Sequence, residues 1–125
     1  MSPARMSKIE SGTRLVLEFG KAFNRQDVAA MTQFLCEDCV LETGSPAPDG
    51  AVYRGRAAAA GYWQTLFREL PGAHLEIEEV FGTGLRCVMR WRLTWAGGEA
   101  AHVRGMDVFE IRDGLIHRMF TYVKG

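Results

Sequence analysis

The sequence has no surplus of charge: 15 Lys plus Arg stand against 15 Asp plus Glu over 125 residues. A nucleic-acid binder needs excess Lys and Arg to displace counterions from phosphates, and a polybasic membrane-surface protein needs the same excess. The balance therefore argues against both partners. Long hydrophobic runs are also missing. No apolar stretch approaches the roughly 20 residues that cross a bilayer. The basic residues between Met1 and Lys8 lead into no apolar segment of the kind a secretory signal requires. Cysteine is scarce and odd in number, at three. Without an export signal, that pattern predicts reduced thiols and a cytoplasmic protein. There is no linker, repeat or low-complexity tract, so one domain over residues 9–125 is expected, after a flexible tail over residues 1–8.

Glycine is plentiful, at 14 residues, and most of it reads as turn punctuation. From Ile9 to Asn24, apolar residues recur at three- and four-residue steps, which predicts an amphipathic helix. Asp27 is placed to cap a second, shorter helix carrying Val28, Met31, Phe34 and Leu35. A short strand over Cys39 to Glu42 is expected next. Gly44 to Gly55 forms a loop, with a short strand at Ala51 to Arg54. Ala57 to Leu70 reads as a third helix stopped by Pro71 and Gly72, with Trp63, Leu66, Phe67 and Leu70 as its buried stripe.

After Gly72 the period changes from 3.6 to 2. Strands are predicted over Ala73 to Phe81, Leu85 to Trp95, Ala101 to Ile111 and Leu115 to Val123, joined by short antiparallel turns at Gly82-Thr83-Gly84, Ala96 to Ala100 and Arg112-Asp113-Gly114. The second of these strands places Leu85, Cys87, Met89, Trp91, Leu93 and Trp95 on one face, and Arg86, Arg90 and Arg92 on the other. A three-residue loop at Gly82 to Gly84 pairs Phe81 with Leu85, Ile77 with Met89, Leu75 with Trp91 and Glu76 with Arg90. The fold class is thus α+β, with a curved, cone-shaped antiparallel sheet wrapped around three helices. Arginines on the outer sheet face are offset by Glu76, Glu78 and Glu110, a pattern that fits a solvated or dimer-facing surface.

Cys36 and Cys39 have C-x-x-C spacing, yet two further metal ligands at compact spacing are lacking and the motif follows a helix instead of opening one. No metal or redox role is assigned. The glycine pairs at 82–84 and 97–98 precede no helix and read as hairpin turns, not phosphate cradles.

The first helix ends in Ala22-Phe23-Asn24-Arg25-Gln26-Asp27, Tyr53-Arg54-Gly55-Arg56 leads into the third helix, and residues 103–116 run VRGMDVFEIRDGLI. These segments resemble the nuclear-transport-factor-2-like superfamily and, within it, the SnoaL-like and ketosteroid-isomerase-like group, over about residues 9–125. The resemblance implies a cystatin-like cone with a mixed sheet edge and a pocket between helices and sheet. It further implies a small hydrophobic ligand, no metal or organic cofactor, and a homodimer. The superfamily hosts isomerases, cyclases, other enzymes and non-catalytic binding domains.

Asp107 is the leading candidate for chemistry. It shares strand parity with Val103, Gly105, Phe109 and Ile111, so a carboxyl group projects from an otherwise apolar face, where desolvation raises its pKa toward general acid–base use. The alternative is a structural Asp paired inside the cone. In the isomerases that the chain resembles, the matching position holds a protonated Asp, while their general-base Asp and helix Tyr fall at Thr43 and Phe19, and the last Asp of the related epoxide hydrolases falls at Thr121.

His117 depends on a turn. A bulged turn at Arg112-Asp113-Gly114 puts Asp107, Phe109, His117, Met119 and Thr121 on the inner face, whereas a two-residue turn at Asp113-Gly114 turns Arg118, Phe120 and Tyr122 inward. In the first case Asp107 and His117 are the expected catalytic pair. Glu79 shares inward parity, with a solvated place at the rim as its alternative reading. Glu42 and Asp49 are further rim candidates. Phe19, Phe23, Trp63, Phe67, Met89, Trp91 and Phe109, with Met119 and Thr121, are the expected ligand lining. The expected function is a cofactor-independent isomerase or cyclase acting on a hydrophobic carbonyl compound, or a binding domain that holds such a molecule without turnover.

Overall fold

A computed structural model describes residues 3–97 and 102–124, with side chains from Ser11 onward. The elements run α1 (Pro3–Asn24), α2 (Val28–Gln33), β1 (Leu35–Glu42), β2 (Val52–Arg54), α3 (Arg56–Glu69), β3 (His74–Gly82), β4 (Arg86–Thr94), β5 (His102–Arg112) and β6 (Leu115–Val123). Helix α1 starts at Pro3, so most of the segment expected as a tail is helical. Gly98 to Ala100 of the predicted turn between β4 and β5, and Ala101 at the expected start of the next strand, lie outside the described residues.

Six strands form one open sheet in the order β2-β1-β6-β5-β4-β3. Strand β1 runs parallel to β6 and every other pair is antiparallel, which gives the mixed edge. The helices lie on one face. Val16, Phe19, Ala22 and Phe23 of α1 are buried at the spacing that the sequence shows. Phe19 is the hub, with ring centroids 5.4 Å from Trp63, 6.0 Å from Phe109 and 6.5 Å from Phe34. Two hydrogen bonds pin the end of α1 to β3: Asn24 Nδ2 donates to the Leu75 carbonyl at 3.0 Å, and the Leu75 N–H donates to Asn24 Oδ1 at 2.7 Å. The Asp27 carboxylate accepts from the Ala30 N–H at 3.1 Å, the cap expected of it.

Two bulges correct the predicted registers. Leu75 pairs with Leu93, Glu76 with Arg92 and Ile77 with Trp91; the register then shifts between Ile77 and Glu79, so that Val80 faces Met89. The hairpin loop is Thr83-Gly84-Leu85, one residue beyond the expected one: Thr83 Oγ1 accepts the Leu85 and Arg86 N–H groups at 3.3 and 3.2 Å, and Leu85 is left exposed. The extra residue in β3 reverses parity beyond it. Glu79 consequently leaves the inner face and meets Arg90 at 3.5 Å.

At the last hairpin, Asp113 (φ 53°) and Gly114 (φ 75°) make the two-residue turn, with Arg112 opposite Leu115. The shift between Glu110 and Ile111 then leaves His117 as the extra residue, and beyond it Phe109 faces Met119 and Asp107 faces Thr121. The structure thus takes the turn of one reading and most of the inner face of the other, with His117 as the exception.

The outer sheet face carries the balanced charges as paired groups. Glu110 lies 3.1 Å from Arg86 and 3.6 Å from Arg118, and Glu78 lies 2.6 Å from Arg104.

Candidate functional site

A cavity of about 310 Å³ lies between the helices and the inner sheet face. Helix α1 contributes Phe19 and Phe23, and α3 contributes Tyr62, Trp63 and Leu66, with Leu70 at its C-terminal cap. From the sheet come Met89 and Trp91 of β4, Asp107 of β5, and Met119 and Thr121 of β6. Of the expected lining, Phe67 instead packs behind Phe23 at 4.9 Å between ring centroids, and the fully buried Phe109 lies beneath Phe19 in the core. Both fill the space that fixes the cavity wall.

Tyr62 is the contributor on α3 that the predicted stripe missed; it stands one turn before Leu66 and two before Leu70, both of which that stripe contains. That i, i+4 row is the signal that finds it.

Asp107 is 4% exposed and is the only carboxylate among the described lining residues. Burial pushes its pKa up to about 7, against the opposing pull of Thr121 and Trp91. Thr121 Oγ1 donates to Asp107 Oδ1 at 2.7 Å. The Trp91 indole reaches across to β5 because Gly105 faces it there: a Cβ at that position would meet Trp91 Cη2 at 2.8 Å. Its Nε1–H is buried with no protein partner of normal hydrogen-bond geometry, although the indole acts on the nearby Asp107 carboxyl. Tyr62 adds a phenol whose pKa rises to about 12, through burial first and the Asp107 charge second, so it remains a donor at neutral pH.

The expected Asp107–His117 pair is not formed. His117 Nε2 lies 3.2 Å from Arg112 Nη1 and 3.8 Å from Asp38 Oδ2, in a cluster at the turn end of β6 that also holds the Arg112–Asp38 ion pair. Arg112 holds the Asp38 carboxyl below the usual carboxylate range. Glu42 and Asp49 do not line the cavity. Thr43 is 3% exposed and organises its own loop, donating to the Ser45 carbonyl at 2.8 Å and accepting from the Ala51 N–H at 3.0 Å. What remains is one buried acid with a fixed oxygen, two further donors in the Trp91 indole and the Tyr62 phenol, and apolar walls.

The family model for the SnoaL-like domain matches residues 16–119. The chain belongs to the SnoaL-like family. Among solved structures, this SnoaL-like domain is similar to an NTF2-like protein of unknown function from Mesorhizobium loti, at 36% identity over 94% of each chain with a TM-score of 0.83. It is also similar to a candidate polyketide cyclase from Xanthomonas campestris pv. campestris, at 26% identity over 94% of this chain and 93% of that one, TM-score 0.80. A candidate ketosteroid isomerase from Kribbella flavida shares the fold at 20% identity, over 94% of this chain and 80% of that one, TM-score 0.79. No curated protein sequence matches. The SnoaL-like domain has no helix among its described residues long and apolar enough to cross a membrane.

Proposed function

We propose that this SnoaL-like domain is a cofactor-independent acid–base enzyme of the cyclase or isomerase type, acting on a small hydrophobic carbonyl compound. The observation that carries this reading is Asp107: a single carboxyl group at the floor of an apolar cavity, with a pKa of about 7 and one oxygen held by Thr121. A carboxyl that titrates near neutral pH both donates and accepts a proton under working conditions. The aromatic walls exclude water, and a carbonyl oxygen near the acid gains a hydrogen bond that strengthens as enolate charge develops. His117 has no part in this mechanism. The test is α-proton exchange of 2-tetralone in D2O, followed by NMR. Exchange above the buffer rate, lost in Asp107→Asn, supports the reading. Exchange at the buffer rate with wild-type protein rejects it.

A second reading, a binding domain without turnover, draws on a different observation. The cavity offers no second carboxylate among the described residues, and Phe19 and Thr43 stand at the isomerases' helix Tyr and general-base positions. Binding of 2-tetralone without exchange identifies this case.

We further propose a homodimer through the outer sheet face. Phe81, Val88, Val108 and Phe120 stand opposite one another in register across β3, β4, β5 and β6, flanked by paired charges, and Phe81 is 51% exposed. Val108→Glu converts a dimer to a monomer in sedimentation if this holds; a wild-type monomer rejects it. The three free, buried cysteines fit a cytoplasmic setting.

A further inference from the structure

Trp91 carries a buried donor that lies near the Asp107 carboxyl and lowers its pKa, yet meets no protein acceptor in normal hydrogen-bond geometry. Its side chain is 4% exposed. A buried donor without a well-formed hydrogen bond costs about 1–3 kcal/mol, and a ligand oxygen held beside the Asp107 carboxyl would complete it. The indole lines the same cavity as Asp107. Trp91 faces Gly105 across the β4–β5 ladder, two residues from Asp107 on the same sheet face, and its ring occupies the space that a side chain at 105 would fill. The Thr121 hydroxyl occupies Oδ1 of Asp107. With Oδ1 accepting from Thr121, the proton of the neutral acid belongs on the second carboxyl oxygen.

We propose that Trp91 Nε1–H and the protonated Asp107 carboxyl donate together to one ligand oxygen, making Trp91 the specificity-determining residue for ring ketones and their enols over hydrocarbons of the same shape. This rests on the acid–base reading of the cavity and adds a second donor to it. Trp91 is neutral at every working pH, so its donor persists after Asp107 gives up its proton. The pair therefore keeps one hydrogen bond on the ligand oxygen through a proton transfer. The apolar walls contribute affinity for the ring system, and the donor pair contributes the preference for oxygen.

The experiment compares 2-tetralone with tetralin, the ketone and hydrocarbon of one ring system, by fluorescence titration of wild-type protein and Trp91→Phe. Wild type is expected to bind the ketone at least about tenfold more tightly than the hydrocarbon. Trp91→Phe is expected to lower that ratio by about tenfold, the ratio cancelling the change in apolar wall that both compounds meet. An NMR reading that needs no variant accompanies it: the Trp91 indole N–H resonance, assigned apart from those of Trp63 and Trp95, moves downfield with 2-tetralone and not with tetralin. An unchanged ratio in a folded Trp91→Phe, or an unmoved resonance under saturating 2-tetralone, overturns the proposal while the cavity reading stands. Failure of both compounds to bind removes the cavity reading and the donor pair together.

Discussion

Thr121 Oγ1 donates a 2.7 Å hydrogen bond to Oδ1 of Asp107, across a directly opposed pair of β5 and β6. The bond favours the charged carboxylate and so partly offsets burial. Thr121→Val removes this donor at nearly constant shape. The Asp107 pKa is expected to rise further above about 7, read from its carboxyl carbon in an NMR titration, with about 1 kcal/mol of stability lost.

The raised pKa has a consequence for folding. The unfolded chain releases the Asp107 proton near pH 4, whereas the folded chain holds it to about pH 7. Between those values the folded state binds more protons, so this group makes stability fall as pH rises and makes no further change above about 7. Asp107→Asn carries no such penalty. It is expected to gain on wild type between pH 4 and 8, by on the order of 4 kcal/mol, as measured by denaturant unfolding at both pH values. Parallel pH curves for the two proteins would contradict this.

Gly105 is required by close approach. A Cβ there would lie 2.5 Å from the Tyr122 carbonyl oxygen and 2.8 Å from Trp91 Cη2. Gly105→Ala is expected to cost about 1–3 kcal/mol and to alter the Trp91 indole NMR resonance, while those of Trp63 and Trp95 hold their positions.

His117→Ala gives the complementary result. The ring lies with Arg112 and Asp38 outside the cavity lining, so α-proton exchange and 2-tetralone affinity are expected within about twofold of wild type. A loss of tenfold or more would return His117 to the mechanism.

The site's acid was legible in the sequence because strand parity is a local property. Asp107 sits among Val103, Gly105 and Phe109 at alternate positions, and no irregularity separates it from its β4 partners. The candidates that moved, Glu79 and His117, lie at or next to bulges. A bulge inserts one residue to suit the twist and packing of distant segments, and alternation beyond it reverses. In the last hairpin, Asp113-Gly114 announced the tight turn, but nothing local to Leu115 to Met119 marked the extra residue. The helical side of the cavity was half legible. Trp63 was named from the apolar stripe, whereas Tyr62 belongs to a neighbouring face whose burial is decided by where α3 docks on β1 and β2. Phe67 and Phe109 have the composition of cavity walls and the positions of core residues; residue type alone does not separate the two. The unpaired Trp91 N–H is a property of three-dimensional packing against Gly105 and is invisible in the sequence.

The central claim is that Asp107 is a proton-transferring group at neutral pH. Its most direct test is an NMR titration of the carboxyl carbon of Asp107, assigned by its absence in Asp107→Asn, between pH 3 and 9. A midpoint near 7 is predicted. A midpoint near 4, the ordinary carboxylate range, would contradict the account.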